Sequence, residues 1–234
     1  MIRRSTTYGT AVIEYTLRRS VRRTLSISVD AEGILVIAPE GVDGSAVDER
    51  VRKRARWILR QQRRFEEFKP KTPLRRFVGG ETHRYLGRQY RLKIEPSEQD
   101  RVRLLSGRLV VESREPRNPS WTATLVGRWM RQRAGVVLRE RYEAAATITA
   151  RLGIPQPRLM IRSMQKRWGS HTPSGRIILN DRLIAARREC IDYVIVHEIC
   201  HVVVPNHSPR FFRLLRRFMP DWEQRKEMLE RSAV

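Results

Sequence analysis

The sequence predicts an α+β protein. A strand-rich N-terminal half spans 1–115, and a C-terminal half over 116–234 is organised round one buried helix, the two making one compact unit. Three observations predict this. Short segments of period-two alternation, punctuated by turn residues, crowd the chain before residue 115. Longer segments with apolar residues three and four apart dominate after it. Within the second half, His197-Glu198-Ile199-Cys200-His201 lies between the apolar runs Cys190–Val196 and Val202–Val204, as in a helix that enters a protein interior.

Taken in order, Thr10–Thr16, Leu25–Val29 and Ile34–Ile37 alternate and read as a short antiparallel meander, with Asp30-Ala31-Glu32-Gly33 as a turn. Ser45 with Asp48 resembles a capping box. Val47, Val51, Ala55, Ile58, Leu59 and Phe65 then form one helical stripe, opposite a face rich in arginine from Arg52 to Arg64. Lys69-Pro70-Lys71-Thr72-Pro73 reads as a linker. Tyr85–Leu86, Tyr90–Ile94, Val102–Leu105 and Leu109–Glu112 are further short strands, with Ser106-Gly107 as a turn. Asn118 caps and Pro119 opens a long helix that ends at Gly153 and Pro155. Arg158–Ser163 and Gly175–Asn180 read as two strands, and Asp221 caps a last helix, Trp222 to Arg231. No internal repeat is visible.

The histidine helix carries the chemistry. Residues four apart project from one helix face, so His197 and His201 can close on one metal ion, and Glu198 can reach a water held there. Pro205 has no amide proton and biases Val204 toward extended conformations, so the helix stops near Val203 or Val204. Asn206 tolerates a reversal, and Ser208 with Pro209 opens a new helix whose apolar face includes Phe211, Leu214 and Leu215. His207 is thereby held in an elbow beside the first pair. Three imidazoles with an open fourth position are the donor set of a catalytic zinc rather than a structural one. The expectation is one Zn²⁺ on His197, His201 and His207, with Glu198 as the base that activates a zinc-bound water. Asp192 and Glu189 are candidates for orienting the histidines. Arg167, His171 and Asn180 are substrate-contact candidates by proximity in the sequence alone.

The blocks Arg167-Trp168-Gly169-Ser170, Gly175–Asn180, Ile191–Glu198, Asn206-His207-Ser208 and Phe211-Phe212 resemble the YgjP-like metallopeptidase family. So do Ala38–Val42, Trp57-Ile58 and Gly80–Gly87 upstream, so the resemblance covers nearly the whole chain. It implies a zincin-like metallopeptidase half, near the SprT-like and WLM groups, with the same three ligands and the same base. One residue departs from the family, which usually has a cysteine where this chain has His171.

The 234 residues carry 48 basic and 25 acidic side chains, a formal charge of +23, and only six of the 48 are lysines. That excess allows nucleic acid or nucleotide as a partner alongside a peptide or protein substrate, although the basic residues are dispersed rather than massed. Two rival functions follow: a metal-dependent nucleotide phosphohydrolase, with arginines holding phosphates at the metal, and a nucleic-acid-associated binding module of SprT-like type. Cys190 and Cys200 stand about 15 Å apart along one helix, beyond disulfide reach, which fits a reducing compartment. No apolar run approaches a membrane span, and a cytoplasmic location is expected.

Overall fold

The computed structural model of the chain describes residues 2–30, 33–67, 75–165, 167–172 and 174–232. The linker read at 69–73, the Ala31-Glu32 turn and the Phe65 side chain lie outside them. The chain divides into two compact units, 1–72 and 73–233.

In the first unit, strands β1 (Ile2–Tyr8), β2 (Ala11–Ser20), β3 (Ser26–Asp30) and β4 (Gly33–Pro39) form one sheet in the order β1-β2-β4-β3. Helices α1 (Gly44–Lys53) and α2 (Ala55–Glu67) follow. Alternation sets the buried face: Ile13, Tyr15 and Leu17 of β2 and Ile34, Val36 and Ala38 of β4 lie beneath Val47, Val51, Ala55 and Ile58. This is not a meander, because β2 and β4 are parallel, Thr16 opposite Leu35. The edge strand β1, with only Thr6 buried, has too polar a pattern to be read as a strand. The helical stripe is also two helices rather than one. Asp43, not Ser45, caps α1 by accepting from the Ser45 amide, which frees Asp48 to bond Arg4 at 2.7 Å and the Tyr15 hydroxyl.

The second unit begins with β5 (Thr82–Tyr85), β6 (Arg88–Pro96), β7 (Arg101–Leu105) and β8 (Arg108–Ser113), in the order β5-β6-β8-β7. The pairings are antiparallel, parallel and antiparallel, as in the first sheet. The chain therefore uses one strand diagram twice, each time followed by a helix with an Asp or Asn N-cap. No residue pattern announces this, because the repeat lies in strand order and turn length. Helix α3 (Pro119–Ala144), capped by Asn118, buries Leu125 and Val126 against Leu92, Leu109 and Val111 of this sheet. That packing places the β5–β8 sheet in one unit with the helix that follows it, because the two share a core.

The long helix read to Gly153 is broken at Ala145, with α4 (Ala146–Arg151) beyond. A third sheet, β9 (Arg158–Arg162), β10 (Gly169–His171) and β11 (Arg176–Asn180), has the order β10-β11-β9, with β10 antiparallel and β9 parallel to β11. A 3₁₀ turn over Asp181–Ala185 leads into α5 (Arg188–Val203), then α6 (Pro209–Phe218) and α7 (Trp222–Ser232). Helix α5 is buried on most sides, from Cys190 to Cys200, among α3, α4, α6, α7, β10 and β11. Its expected tie to the histidines through Asp192 is absent. Asp192 instead accepts a two-pronged bond from Arg141 of α3, at 2.8 and 2.6 Å.

Candidate metal centre

Helix α5 ends where the proline dictates: Val204, at φ −129° and ψ 95°, is its extended C-cap. One turn of chain then brings His207 back, and α6 starts at Pro209, although the Ser208 hydroxyl makes no capping bond. The Nε2 atoms of His197, His201 and His207 consequently form a near-equilateral triangle with sides of 3.1, 3.1 and 3.0 Å. The aromatic ring of Phe211, fully buried, supports all three. It stacks on His201 with centroids 4.4 Å apart and meets His197 and His207 edge-on at 4.9 and 4.8 Å.

This triangle fits a cation. His201 Nδ1 donates to the Val204 carbonyl oxygen at 3.1 Å, so in the neutral ring Nε2 carries a lone pair. Burial pushes His197 down to about 3, aided by the charges of the other two histidines, and lowers His201 and His207 as well. Neutral rings with inward lone pairs cannot bond one another, but they could hold an ion at about 2.0–2.1 Å. Among the described residues, these three form the one group of His, Cys, Asp or Glu side chains close enough to hold a metal. Tyr193 Oη, 3.5 Å from His197 Nδ1, and the Val204 carbonyl take the orienting places that Asp192 and Glu189 were expected to fill.

Glu198 projects from the same helix and is buried, 6 % exposed. Burial pushes its carboxyl up to about 7, against the opposing pull of the Arg167 charge and of a bond from the His171 main-chain N–H. Strand β10 lies directly over it. A Cβ on Gly169 would stand 2.6 Å from Glu198 Oε1 and 2.9 Å from Val194 Cγ1, so only glycine permits this approach. Nothing in the spacing of Trp168-Gly169-Ser170 encodes this role. The available signal is the glycine itself, since a glycine inside a strand marks a close approach of backbone.

The three weaker candidates separate. His171 meets Glu198 through its backbone, its imidazole is half-buried, and it is not one of the three clustered ligands. Arg167 is exposed and within electrostatic reach of Glu198. Asn180 is buried, and its amide is fully used by the backbone: Nδ2 donates to the Met164 and Arg167 carbonyls at 2.7 Å each, while Oδ1 accepts from Arg182 and Met164. It shapes the loop that carries Arg167 and leads to β10. Both cysteines of α5 are free and buried, and burial pushes the Cys200 thiol up to about 12.

A helix bearing His-Glu-x-x-His, with a third histidine returned to it, defines a metallopeptidase class of site. The chain belongs to the YgjP-like family, whose metallopeptidase domain matches residues 23–232. Membership implies a metal-dependent, peptidase-like hydrolase. No curated protein matches the chain. Two solved structures resemble part of it. The metallopeptidase zymogen jannalysin of Methanocaldococcus jannaschii is 18 % identical, covering 42 % of this chain and 97 % of its own, with a TM-score of 0.36. The metallopeptidase zymogen abylysin of Pyrococcus abyssi is 24 % identical, covering 40 % and 90 %, with a TM-score of 0.34. No described helix is long and apolar enough to cross a membrane.

Proposed function

We propose that the chain is a zinc metallopeptidase in which Glu198 is the base and His197, His201 and His207 hold one Zn²⁺. The observation that carries this is the triangle of Nε2 atoms with sides of 3.0–3.1 Å on the helix that also buries Glu198. Zinc there would supply a Lewis acid, acidifying water and polarising the scissile carbonyl. Glu198, whose carboxyl burial holds near neutrality, takes a proton from the attacking water and passes it to the leaving amine. Strand β10 is an edge strand of its sheet, so an extended peptide can pair with backbone beside Glu198. Arg167, exposed at the mouth of this site, suits a carboxylate or carbonyl of such a peptide.

The phosphohydrolase reading needs arginines gathered at the metal. The clustered arginines of this unit gather instead round the first residues of α5, about 14 Å along the helix from His197. Peptide is therefore the better-supported substrate. The test is product analysis by mass spectrometry after zinc-loaded protein is incubated with a peptide library and, separately, with nucleoside triphosphates. Peptide cleavage is expected, and Glu198→Gln should cut it by about 10²–10⁴-fold with zinc stoichiometry unchanged. Wild-type turnover in that variant would remove Glu198 from the mechanism, and cleavage of triphosphates alone would overturn the substrate class.

A further inference from the structure

A second concave site lies in the same unit. A cavity of ≈ 920 Å³ is lined by six arginines, Arg88, Arg101, Arg103, Arg133, Arg187 and Arg188, against one carboxylate, Glu189. They come from four separate stretches of backbone: the start of β6, the edge strand β7, helix α3 and the entry to α5. Two are already engaged. Arg103 is bonded to Glu112, and Arg133 donates to the Tyr85 hydroxyl at 3.0 Å. Arg88, Arg101, Arg187 and Arg188 are exposed and have no acidic partner among the described residues.

Like charges gathered in one concavity repel, so the fold must hold them there. It does so through the turn between β5 and β6. The Leu86 N–H donates to the Ile184 carbonyl at 2.8 Å and the Gly87 N–H to the Ala185 carbonyl at 3.1 Å, fastening the hairpin to the segment that opens α5. Gly87 sits at φ +78°, and a Cβ on it would fall 2.2 Å from Arg187 Cγ. Arg88 is thereby set beside Arg187 and Arg188 by backbone geometry, not by long side chains meeting at random. Helix α5 adds the positive end of its dipole, since no side chain caps it.

We propose that this cavity binds an oligophosphate, that is, several linked phosphate groups held by the forked guanidinium donors. An extended acidic peptide presents a carboxylate to one face only every second residue, about 7 Å apart, which is too dilute for four free cations in one cavity. The rings of Tyr85 and Trp129 pack on each other, with centroids 5.0 Å apart, so the cavity offers charge rather than a free stacking platform. The phosphates can belong to a free oligophosphate or to a nucleic-acid strand. The site is separate from the metal centre and stands whether or not the peptidase reading does.

The test is calorimetric titration of the full chain with inorganic tripolyphosphate. The wild type is compared with Arg88→Gln/Arg188→Gln and with a control, Arg151→Gln/Arg158→Gln, whose exposed arginines lie outside the cavity. Thermal unfolding of each variant checks that it folds. The cavity double should bind at least tenfold more weakly, while the control stays within twofold of wild type. Equal weakening in both would reduce the effect to diffuse charge and overturn the proposal, as would a cavity double that binds like wild type. No variant alters a histidine, so a selective loss is not loss of phosphate from the metal. A fluorescent single-stranded oligonucleotide then separates the sources. Strand binding that falls with the cavity double points to nucleic acid, and strand binding indifferent to it points to free oligophosphate.

Discussion

The β1–β4 and β5–β8 sheets share strand order, pairing and a following helix, yet they use the scaffold differently. The first is roofed by α1 and α2, which bury its apolar face within 1–72. The second is roofed by α3, a 26-residue helix whose far end continues to Arg141 and its bond to Asp192 on α5, the helix of the candidate metal centre. The first hairpin turn, at Gly9, is open, with nothing within 4 Å of an added Cβ. The second, Leu86-Gly87, is pinned to the entry of α5. One topology thus serves once as a self-contained module and once as a bracket for a site. What distinguishes them is the buried surface each shares with its neighbours.

The largest expected effect tests the self-containment of the first module. Ile58 is fully buried between α2 and the sheet, so Ile58→Ala should cost about 2–5 kcal/mol. Hydrogen exchange followed by mass spectrometry should show the loss over β1–β4, with the stoichiometry of bound metal unchanged. Faster exchange spread equally through 73–233 would show that the units share their stability.

The next effect is the difference between the two turns, about 1–3 kcal/mol. Both glycines have positive φ, +60° at Gly9 and +78° at Gly87, so alanine at either incurs about 1–2 kcal/mol of left-handed strain. Only at Gly87 must Arg187 also move, adding about 1–3 kcal/mol of overpacking. Gly87→Ala should therefore be clearly the more destabilising in chemical denaturation. Equal effects would mean that the second turn is not pinned.

The candidate site was more legible in the sequence than the scaffold. The positions of His197, His201 and His207 follow from helical spacing and from Pro205, which are local rules written in a dozen residues. The sheet orders were not legible, because a parallel crossover such as β2 to β4 is decided by which faces meet in space. Strand β10 is three residues long and gave no periodicity, although it supplies the backbone over Glu198. By spacing alone Phe211 belongs to the apolar face of α6. Its second role, under the imidazoles, depends on the angle at which α6 returns, and no spacing rule encodes that.

The smallest effect concerns how each module fastens its helix. In the first, Asp48 of α1 accepts from Arg4 and Tyr15, and the Arg4 guanidinium holds its carboxyl below the usual carboxylate range. In the second, the carboxylate is in the loop: Asp100 accepts from the Arg114 main-chain N–H at 3.0 Å and from the Trp121 indole of α3 at 3.2 Å, and is also depressed. A carboxyl depressed in the folded state contributes stability that is present above its unfolded value of 3.8 and lost as pH falls through the folded value. Asp48→Asn should accordingly cost about 1 kcal/mol at neutral pH, a figure reduced by solvent screening of the Arg4 pair. Below pH 3.8 the wild type gives up the same contribution, so the two stability curves should converge. The reading is exchange protection of β1–β4 in both proteins between pH 7 and pH 3. A gap that stays constant across that range would show that Asp48 acts through its shape and not its charge. The Arg4 pair would then have no part in fastening α1 to the sheet.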